Sequence, residues 1–236
     1  MTTVLVTGAN RGLGLEFVRQ YLAEACSVIG VCRDPAAAEA LRGLDEIHQA
    51  LEVFEADMSD PSSIDALTGE LGNRPIDILI NNAGVFGPKR KADGDKRQTF
   101  GWIDYGIWLD VLRVNTLAPV KMAEALFDNV KNSSQKKIVT ISSQLGSIGE
   151  GDAGLYAYRT SKAAVNMGMA TVSREAEAND VIVVVLNPGW VKTDMGGDAA
   201  TLSTEESIGS LRTRIAALSI EDSGTFIDHD GRRIPW

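Results

Sequence analysis

Two residues of this sequence, Tyr158 and Lys162, are spaced so that they could move a proton together. Side chains four residues apart on a helix share one face, so the ammonium of Lys162 can lie beside the phenol of Tyr158. A free tyrosine has a pKa of about 10, too high for ready proton exchange at neutral pH, and a neighbouring cation lowers it. The pair therefore predicts a general acid with a lowered pKa. When no other motif accompanies such a pair, the alternative interpretation is an exposed tyrosine beside a surface lysine without a chemical role.

A glycine-rich segment near the amino terminus has the composition of a phosphate-binding turn. Glycines at positions 8, 12 and 14 give the pattern TGxxxGxG after a short apolar run. Glycine lets a strand turn sharply, lets the backbone approach a pyrophosphate and lets the next helix pack closely, with its first amides aimed at the phosphates. An ordinary tight turn is the alternative, and the spacing differs from the GxGxxG of the general dinucleotide fingerprint.

The residues after the second apolar run indicate which dinucleotide such a loop would bind. An acid there holds the ribose 2′-hydroxyl of NAD, whereas the 2′-phosphate of NADP needs a cation. The sequence has Cys32 where the acid would stand, Arg33 next to it and Arg11 in the glycine-rich loop. Planar guanidinium groups suit phosphate, so NADP(H) is the expected cofactor. The alternative is an ion pair between Arg33 and Asp34 or another surface acid.

Short apolar runs alternate with amphipathic stretches, and this order predicts the fold. The runs, at residues 3–7, 27–32, 51–54, 76–80, 137–141 and 181–186, are rich in Val and Ile, as in strands buried on both faces of a parallel sheet. Helices are predicted at 13–25, 61–71 and 163–178, the second capped by Asp60. Alternating strands and helices predict an α/β, doubly wound parallel sheet of the Rossmann type with helices on both faces.

Length and composition exclude several classes of protein. The 236 residues, 44% hydrophobic and 23% charged, suit one folded domain over residues 1–236. A net charge of −9 disfavours nucleic acid and anionic membrane as partners. The two cysteines and two histidines lack metal-ligand spacing, so no metal site is expected. Reduced cysteines and short apolar runs predict a cytoplasmic protein without a membrane span.

Further segments, in their order and spacing, resemble the short-chain dehydrogenase/reductase family. They are NNAG at 81–84, Asn115, the serines at 142 and 143, YxxxK at 158–162 and NPGWVKT at 187–193. With the glycine-rich loop they cover essentially the whole chain. Within the family, SGTFID at 223–228 and RIPW at 233–236 are similar to the tail of C-factor and sniffer-type carbonyl reductases.

The resemblance implies a role for each catalytic position. Tyr158 would be the general acid in carbonyl reduction, and Lys162 would lower its pKa and bond the nicotinamide ribose. Ser143 would hold the substrate carbonyl; it is chosen over Ser142 because the family places its serine second in the pair. Asn115 would bind a water that continues the proton path from Lys162 to solvent.

The resemblance also implies which residues contact the cofactor, with Asp57 at the position that bonds the adenine ring. The implied cofactor-binding residues are Gly8, Asn10, Arg11, Gly12, Leu13, Gly14, Arg33, Asp57, Met58, Asn82, Ala83, Gly84, Tyr158, Lys162, Pro188, Gly189, Val191 and Thr193.

These features predict an NADPH-dependent reductase of an aldehyde, ketone or quinone. An apolar small-molecule substrate is favoured because aromatic and Met side chains fall near the expected pocket: Trp102, Trp108, Tyr156, Trp190 and Met195. The resemblance implies a homodimer or homotetramer. The alternative function is a dinucleotide-binding signalling or regulatory protein of the C-factor type with incidental reductase activity; a sugar-nucleotide epimerase is disfavoured by the TGxxxGxG spacing.

Overall fold

In the computed structural model, which describes residues 1–88, 94–151 and 153–236, seven strands form one parallel sheet. The strands are β1 (Thr3–Thr7), β2 (Ser27–Cys32), β3 (Leu51–Glu55), β4 (Ile78–Asn81), β5 (Lys137–Ile141), β6 (Ile182–Asn187) and β7 (Phe226–Asp228). Their order across the sheet is β3-β2-β1-β4-β5-β6-β7, and neighbouring strands run parallel throughout. The predicted doubly wound parallel sheet is confirmed.

The α-helices among the described residues cover both faces of the sheet. They are α1 (Gly12–Ala23), α2 (Glu39–Asp45), α3 (Pro61–Leu71), α4 (Tyr105–Leu112), α5 (Ala118–Ala125), α6 (Phe127–Lys131), α7 (Tyr156–Ala176) and α8 (Thr204–Ala217). Helices α1 and α8 pack in one hydrophobic core, and α3, α5 and α7 pack in the other. A π-helical turn, Arg113–Leu117, joins α4 to α5, and a 3₁₀ turn, Gln144–Gly146, follows β5.

The strands are apolar at consecutive positions because the two cores take alternate residues. In β1, Val4 and Val6 pack in the core that contains α1, whereas Leu5 packs in the core that contains α7. All three side chains have no exposed surface. Successive side chains of a strand point to opposite faces of a sheet, so consecutive residues in the middle of a strand that is covered on both sides are apolar.

Some element boundaries differ from those predicted. Helix α7 begins at Tyr156, seven residues before the predicted start at 163, so Tyr158 lies in its first turn. The helix begins there because tertiary contacts, described below, bind its first amides and override the weak helix propensity of the local sequence. Strand β7 was not predicted, since its three residues, Phe226–Asp228, are too few for a pattern. Asp60 caps α3 as predicted, accepting a hydrogen bond from the Ser62 amide at 2.9 Å.

Within the part of the chain that the structure describes, no helix combines the length and apolar character needed to cross a bilayer. The same residues hold no group of three or more His, Cys, Asp or Glu side chains placed to bind a metal ion. Cys26 and Cys32 are buried free thiols.

Candidate active site

The candidate site lies where the strand order reverses, at the carboxyl ends of β1 and β4. Strand β1 pairs with β2 on one side and β4 on the other, so the connections after β1 and β4 diverge and leave a crevice between them. Thr7, the last residue of β1, ties the two ends together. Its hydroxyl accepts hydrogen bonds from the backbone amides of Asn82 and Ala83, both at 3.0 Å. The Asn82 side chain donates to the Thr7 carbonyl oxygen at 2.9 Å.

The glycine-rich loop is packed so closely against this junction that larger residues do not fit. Gly8 has a φ of +66°, and a Cβ atom there would lie 2.9 Å from the Cα atom of Ala83. A Cβ atom at Gly14 would overlap the carbonyl oxygen of Gly8 and lie 2.6 Å from the Asn82 side-chain amide. Helix α1 begins after Arg11 without a capping side chain. Its first amides are therefore available to an anion in the crevice.

A cleft of about 650 Å³ opens at this loop and contains most of the predicted cofactor-binding residues. Those that line it are Gly8, Asn10, Arg11, Gly12, Leu13, Arg33, Asp57, Met58, Asn82, Ala83, Gly84, Tyr158, Lys162, Pro188 and Thr193. Gly14 instead supports the loop through its contacts with Gly8 and Asn82. Gly189 and Val191 line a neighbouring cleft.

The two arginines of the first cleft differ in their partners. Arg11 pairs with Asp194 at 2.7 Å, but both side chains are exposed, and an exposed ion pair of this kind contributes little to stability. Arg33 is exposed and forms no ion pair with any residue that the structure describes. Asp34 instead accepts a hydrogen bond from the Ala37 amide at 3.0 Å. The alternative expectation, a pair between Arg33 and Asp34, is therefore not observed.

Tyr158 and Lys162 are buried together at the start of α7. The Lys162 ammonium donates to the Ile141 carbonyl oxygen at 2.9 Å and lies 5.8 Å from the centre of the Tyr158 ring. Burial lowers the pKa of Lys162 to about 8. Burial also raises the pKa of Tyr158 to about 12, although a hydrogen bond with Ser143 acts to lower it. The predicted lowering of the phenol's pKa is therefore wrong for this structure, because desolvation outweighs the effect of Ser143.

The two serines after β5 have different surroundings. Ser142 is buried, and its hydroxyl donates to the Asn166 side chain at 2.6 Å. Ser143 caps the following 3₁₀ turn by accepting from the Leu145 amide at 3.2 Å. The Ser143 side chain also acts to lower the pKa of Tyr158, so it is the serine that lies beside the phenol.

Asn115 lies in the π-helical turn and is almost fully buried. Its side-chain oxygen accepts from the Val85 amide at 2.8 Å, and its amide nitrogen donates to the Val85 carbonyl at 2.8 Å and to Ser161 at 3.0 Å. A Cβ atom at Gly84 would lie 3.4 Å from the Asn115 side-chain oxygen and 3.7 Å from the Lys162 nitrogen. Asn115 therefore fixes the loop after β4 within reach of the lysine.

Gln98 belongs to no motif in the sequence, yet it holds Tyr158 in position. It is buried, and its nitrogen donates to the carbonyl oxygens of Phe86 and Pro88 at 2.8 and 2.9 Å. Its oxygen accepts from the Tyr158 backbone amide at 3.0 Å, satisfying one of the first amides of α7. The Phe86 ring packs on the phenol with centroids 4.4 Å apart. Gln98 thus joins the loop after β4 to the start of α7.

A second network holds the backbone beside Ser143 from the carboxyl-terminal strand. The Asn187 side chain accepts from the Gln144 amide at 3.0 Å and donates to Asp228 at 2.7 Å. Burial acts to raise the pKa of Asp228, but hydrogen bonds from His229 and Asn187 hold it below its usual value. Strand β7, which the sequence did not predict, therefore helps to position the serine.

A second cleft of about 1250 Å³ meets the first at Tyr158. Of the predicted pocket side chains, Tyr156, Trp190 and Met195 line it. Trp102 and Trp108 do not, which corrects that expectation: the Trp102 side chain is exposed, and Trp108 packs outside the cleft on Tyr156 and donates to Thr160 at 2.8 Å. Further apolar lining residues are Phe86, Phe100, Leu145 and Leu155.

Comparisons with known proteins agree with this geometry. The sequence profile of the family described as short chain dehydrogenase matches residues 2–202. The chain is 37% identical over 163 residues to the C-signal protein of Myxococcus xanthus, covering 69% of this chain and 93% of that protein. A crystal structure of NADPH-bound carbonyl reductase from chicken fatty liver superposes with a TM-score of 0.90 at 33% identity, covering 100% of this chain and 99% of that one. The carbonyl reductase Sniffer of D. melanogaster gives 0.87 at 32% identity, covering 100% of both chains.

The contacts of Gly14 lead to a prediction about stability. We expect Gly14→Ala to lower the free energy of unfolding by about 3 kcal/mol, because the added methyl group must displace the Gly8 carbonyl. The control is Gly69→Ala in α3, where a Cβ atom would meet nothing within 4 Å. It should stabilise the protein slightly. Urea denaturation of both variants measures the difference, and equal effects would contradict the packing described for the loop.

Proposed function

The chain belongs to the short-chain dehydrogenase family, and we propose that it is an NADPH-dependent reductase of aldehyde, ketone or quinone carbonyls. The family resemblance read from the sequence is confirmed, and the relatives include C-signal and Sniffer. The observation that carries the proposal is the meeting of two clefts at Tyr158, one built on the glycine-rich loop and one lined by apolar side chains.

The residues of the first cleft fit NADP(H). The close-packed glycine-rich loop and the uncapped start of α1 suit a pyrophosphate. Arg33, which has no ion-pair partner among the described residues, suits the 2′-phosphate of NADP. Arg11 can leave its exposed ion pair with Asp194 and form a second contact with the same phosphate. The chicken carbonyl reductase, similar over the whole chain, was solved with NADPH bound. When bound, NADPH supplies the hydride.

The protein's own residues supply the proton and hold the substrate. Ser143, beside the phenol, would bind the carbonyl oxygen, and Tyr158 would donate its proton to that oxygen. With a pKa of about 12, Tyr158 keeps its proton at neutral pH and is a neutral acid. The Lys162 ammonium stabilises the phenolate that forms as the proton leaves. Asn115 orders the loop beside Lys162 and would hold the water that returns a proton.

Other cofactor contacts follow from the lining of the clefts. Asp57 would bond the adenine ring, although one of its carboxylate oxygens already accepts from the Ser59 amide at 2.8 Å. Pro188 and Thr193 line the first cleft, and Gly189 and Val191 line the second, so this segment would lie along the nicotinamide end.

A signalling protein that binds the dinucleotide and reduces carbonyls only incidentally is the alternative. The sequence identity of 37% with the C-signal protein favours this signalling function. The burial of Tyr158 and Lys162 together beside Ser143 favours a catalyst, since a binding protein has no use for a neutral phenol at the junction of two clefts. Turnover of NADPH with a panel of aldehydes, ketones and quinones separates the two functions.

We also propose that residues 1–236 form one domain that assembles as a homodimer or homotetramer. Several large apolar side chains are exposed along α4, the π-helical turn and α7: Tyr105, Leu109, Leu117 and Met167. The family resemblance implies pairing through residues 103–131 and 158–178, which contain these side chains.

Replacing the phenol tests the proposed chemistry. Tyr158→Phe should lower kcat by about 10²- to 10⁴-fold, because it removes the proton donor and leaves the ring packed on Phe86. NADPH affinity and the melting temperature should change little. Tyr105→Phe, which alters an exposed tyrosine of α4, is the control. Retained activity in the Tyr158→Phe variant, with loss of activity in Tyr156→Phe, would show that the wrong tyrosine has been assigned.

Replacing Arg33 tests the choice of cofactor. Arg33→Ala should raise the Kd for NADPH about tenfold or more and leave the Kd for NADH nearly unchanged, since only NADPH loses a charged partner. Arg42→Ala, on the exposed side of α2, controls for loss of positive charge. Fluorescence titration with both cofactors gives the values, and equal affinity of the unmutated protein for NADPH and NADH would refute the assignment.

The two shifted pKa values predict the pH dependence. As pH rises through about 8, Lys162 loses its proton and no longer stabilises the phenolate, so kcat/KM for reduction should fall. Alcohol oxidation, which needs the phenolate as base, should rise toward the pKa of Tyr158, about 12. In the Lys162→Met variant, the decrease of kcat/KM for reduction near pH 8 should disappear, and kcat/KM should decrease only at a higher pH. Plots of kcat/KM against pH for reduction and for oxidation measure this. If the Met variant still loses reduction activity near pH 8, Lys162 is not the group that titrates there.

A further inference from the structure

Arg159, which follows the catalytic tyrosine, lines the second cleft beside Tyr158 and Tyr156. Consecutive side chains of a helix diverge by about 100°, so the guanidinium reaches this cleft on a different side from the phenol. One of its terminal nitrogens would lie 3.7 Å from a Cβ atom at Gly151. The guanidinium therefore lies between α7 and the turn that contains Gly151, at the wall of the cleft.

Arg159 forms no ion pair with any residue that the structure describes, although two carboxylates line the same cleft. Glu150 is already bound by Arg232 at 3.1 Å and by the side chain of Gln144. Asp95 is already bound by Arg97 at 2.6 Å. These two carboxylates of the cleft are thus neutralised by other groups, whereas no carboxylate among the described residues neutralises the positive charge of Arg159.

The position of Arg159 in its helix is electrostatically unfavourable. It lies in the first turn of α7, a helix of 21 residues, and that turn contains no acidic residue. The amino-terminal end of a helix carries a partial positive charge, which repels a cation and attracts an anion. A bound anion would offset this repulsion and give Arg159 the ion-pair partner that the described residues do not supply.

We propose that Arg159 binds an anionic group of the substrate, so that the preferred substrate is a carbonyl compound with an apolar body and a carboxylate or similar acid away from the carbonyl. The apolar wall formed by Phe86, Leu155 and Trp190 would contact the body. This inference rests on the proposed reductase function and narrows its substrate class.

The experiment compares two probes with the same aldehyde and aromatic body, 3-(4-formylphenyl)propanoate, which is an anion, and its methyl ester, which is neutral. For the unmutated protein, kcat/KM should be about tenfold or more higher for the acid than for the ester, because the acid forms a charge-assisted hydrogen bond in a partly desolvated site. Arg159→Gln should reduce this ratio to about one. Arg174→Gln, which alters an exposed arginine further along the same helix, should keep the ratio of the unmutated protein.

Two further measurements distinguish failure of the proposed anion site at Arg159 from failure of the proposed reductase function. Binding of both probes, measured by quenching of tryptophan fluorescence, should show the same preference for the acid without any turnover. The melting temperature of Arg159→Gln should equal or exceed that of the unmutated protein, whereas a structural arginine would lower it. Reduction or binding of acid and ester with equal efficiency would overturn the role of Arg159 and leave the reductase function intact. Preferential, Arg159-dependent binding of the acid without reduction would instead support the anion site and overturn the reductase function.

Discussion

The hydroxyl of Thr7 joins the carboxyl ends of β1 and β4, and the rest of the site is built on that junction. Two backbone amides of the loop after β4 bond to it, and the Asn82 side chain returns a bond to the Thr7 carbonyl. The junction brings Gly8 so close to Ala83, and Gly14 so close to Gly8 and Asn82, that only glycine fits at positions 8 and 14. It also fixes the loop that carries Phe86, on which the phenol of Tyr158 packs.

Burial, more than the nearby lysine, decides the chemical character of Tyr158. The phenol is packed between Phe86 and Ser143, and the Lys162 ammonium is directed to the Ile141 carbonyl. Desolvation favours the neutral form of each group, so the tyrosine is an acid that retains its proton and the lysine is a cation that titrates near 8. The neutral phenol is the form that the proposed reduction requires.

The sequence predicts those parts of the structure for which few residue types are suitable. Apolar runs without polar alternation predict strands covered on both faces, and TGxxxGxG predicts the close-packed loop. Gln98 and Asp228 could not be predicted, because their roles depend on partners 60 and 41 residues away in the chain, Tyr158 and Asn187. The pKa of Tyr158 was predicted in the wrong direction because spacing reveals a neighbouring charge but not the depth of burial. The start of α7 was misplaced for a related reason, since its first amides are bound by Gln98 and not by a local cap.

We propose that the two clefts bring a dinucleotide and a carbonyl compound together at Tyr158 for direct hydride transfer. The most direct test uses NADPH carrying deuterium at one or the other face of C4 of the nicotinamide, with a reducible aldehyde. Because a nicotinamide held in the first cleft would present one face to the second cleft, which shares Tyr158 with it, deuterium from one face alone should appear on the carbinol carbon of the product, with a primary isotope effect on the single-turnover rate. Loss of the label to solvent, or transfer from both faces, would contradict this account.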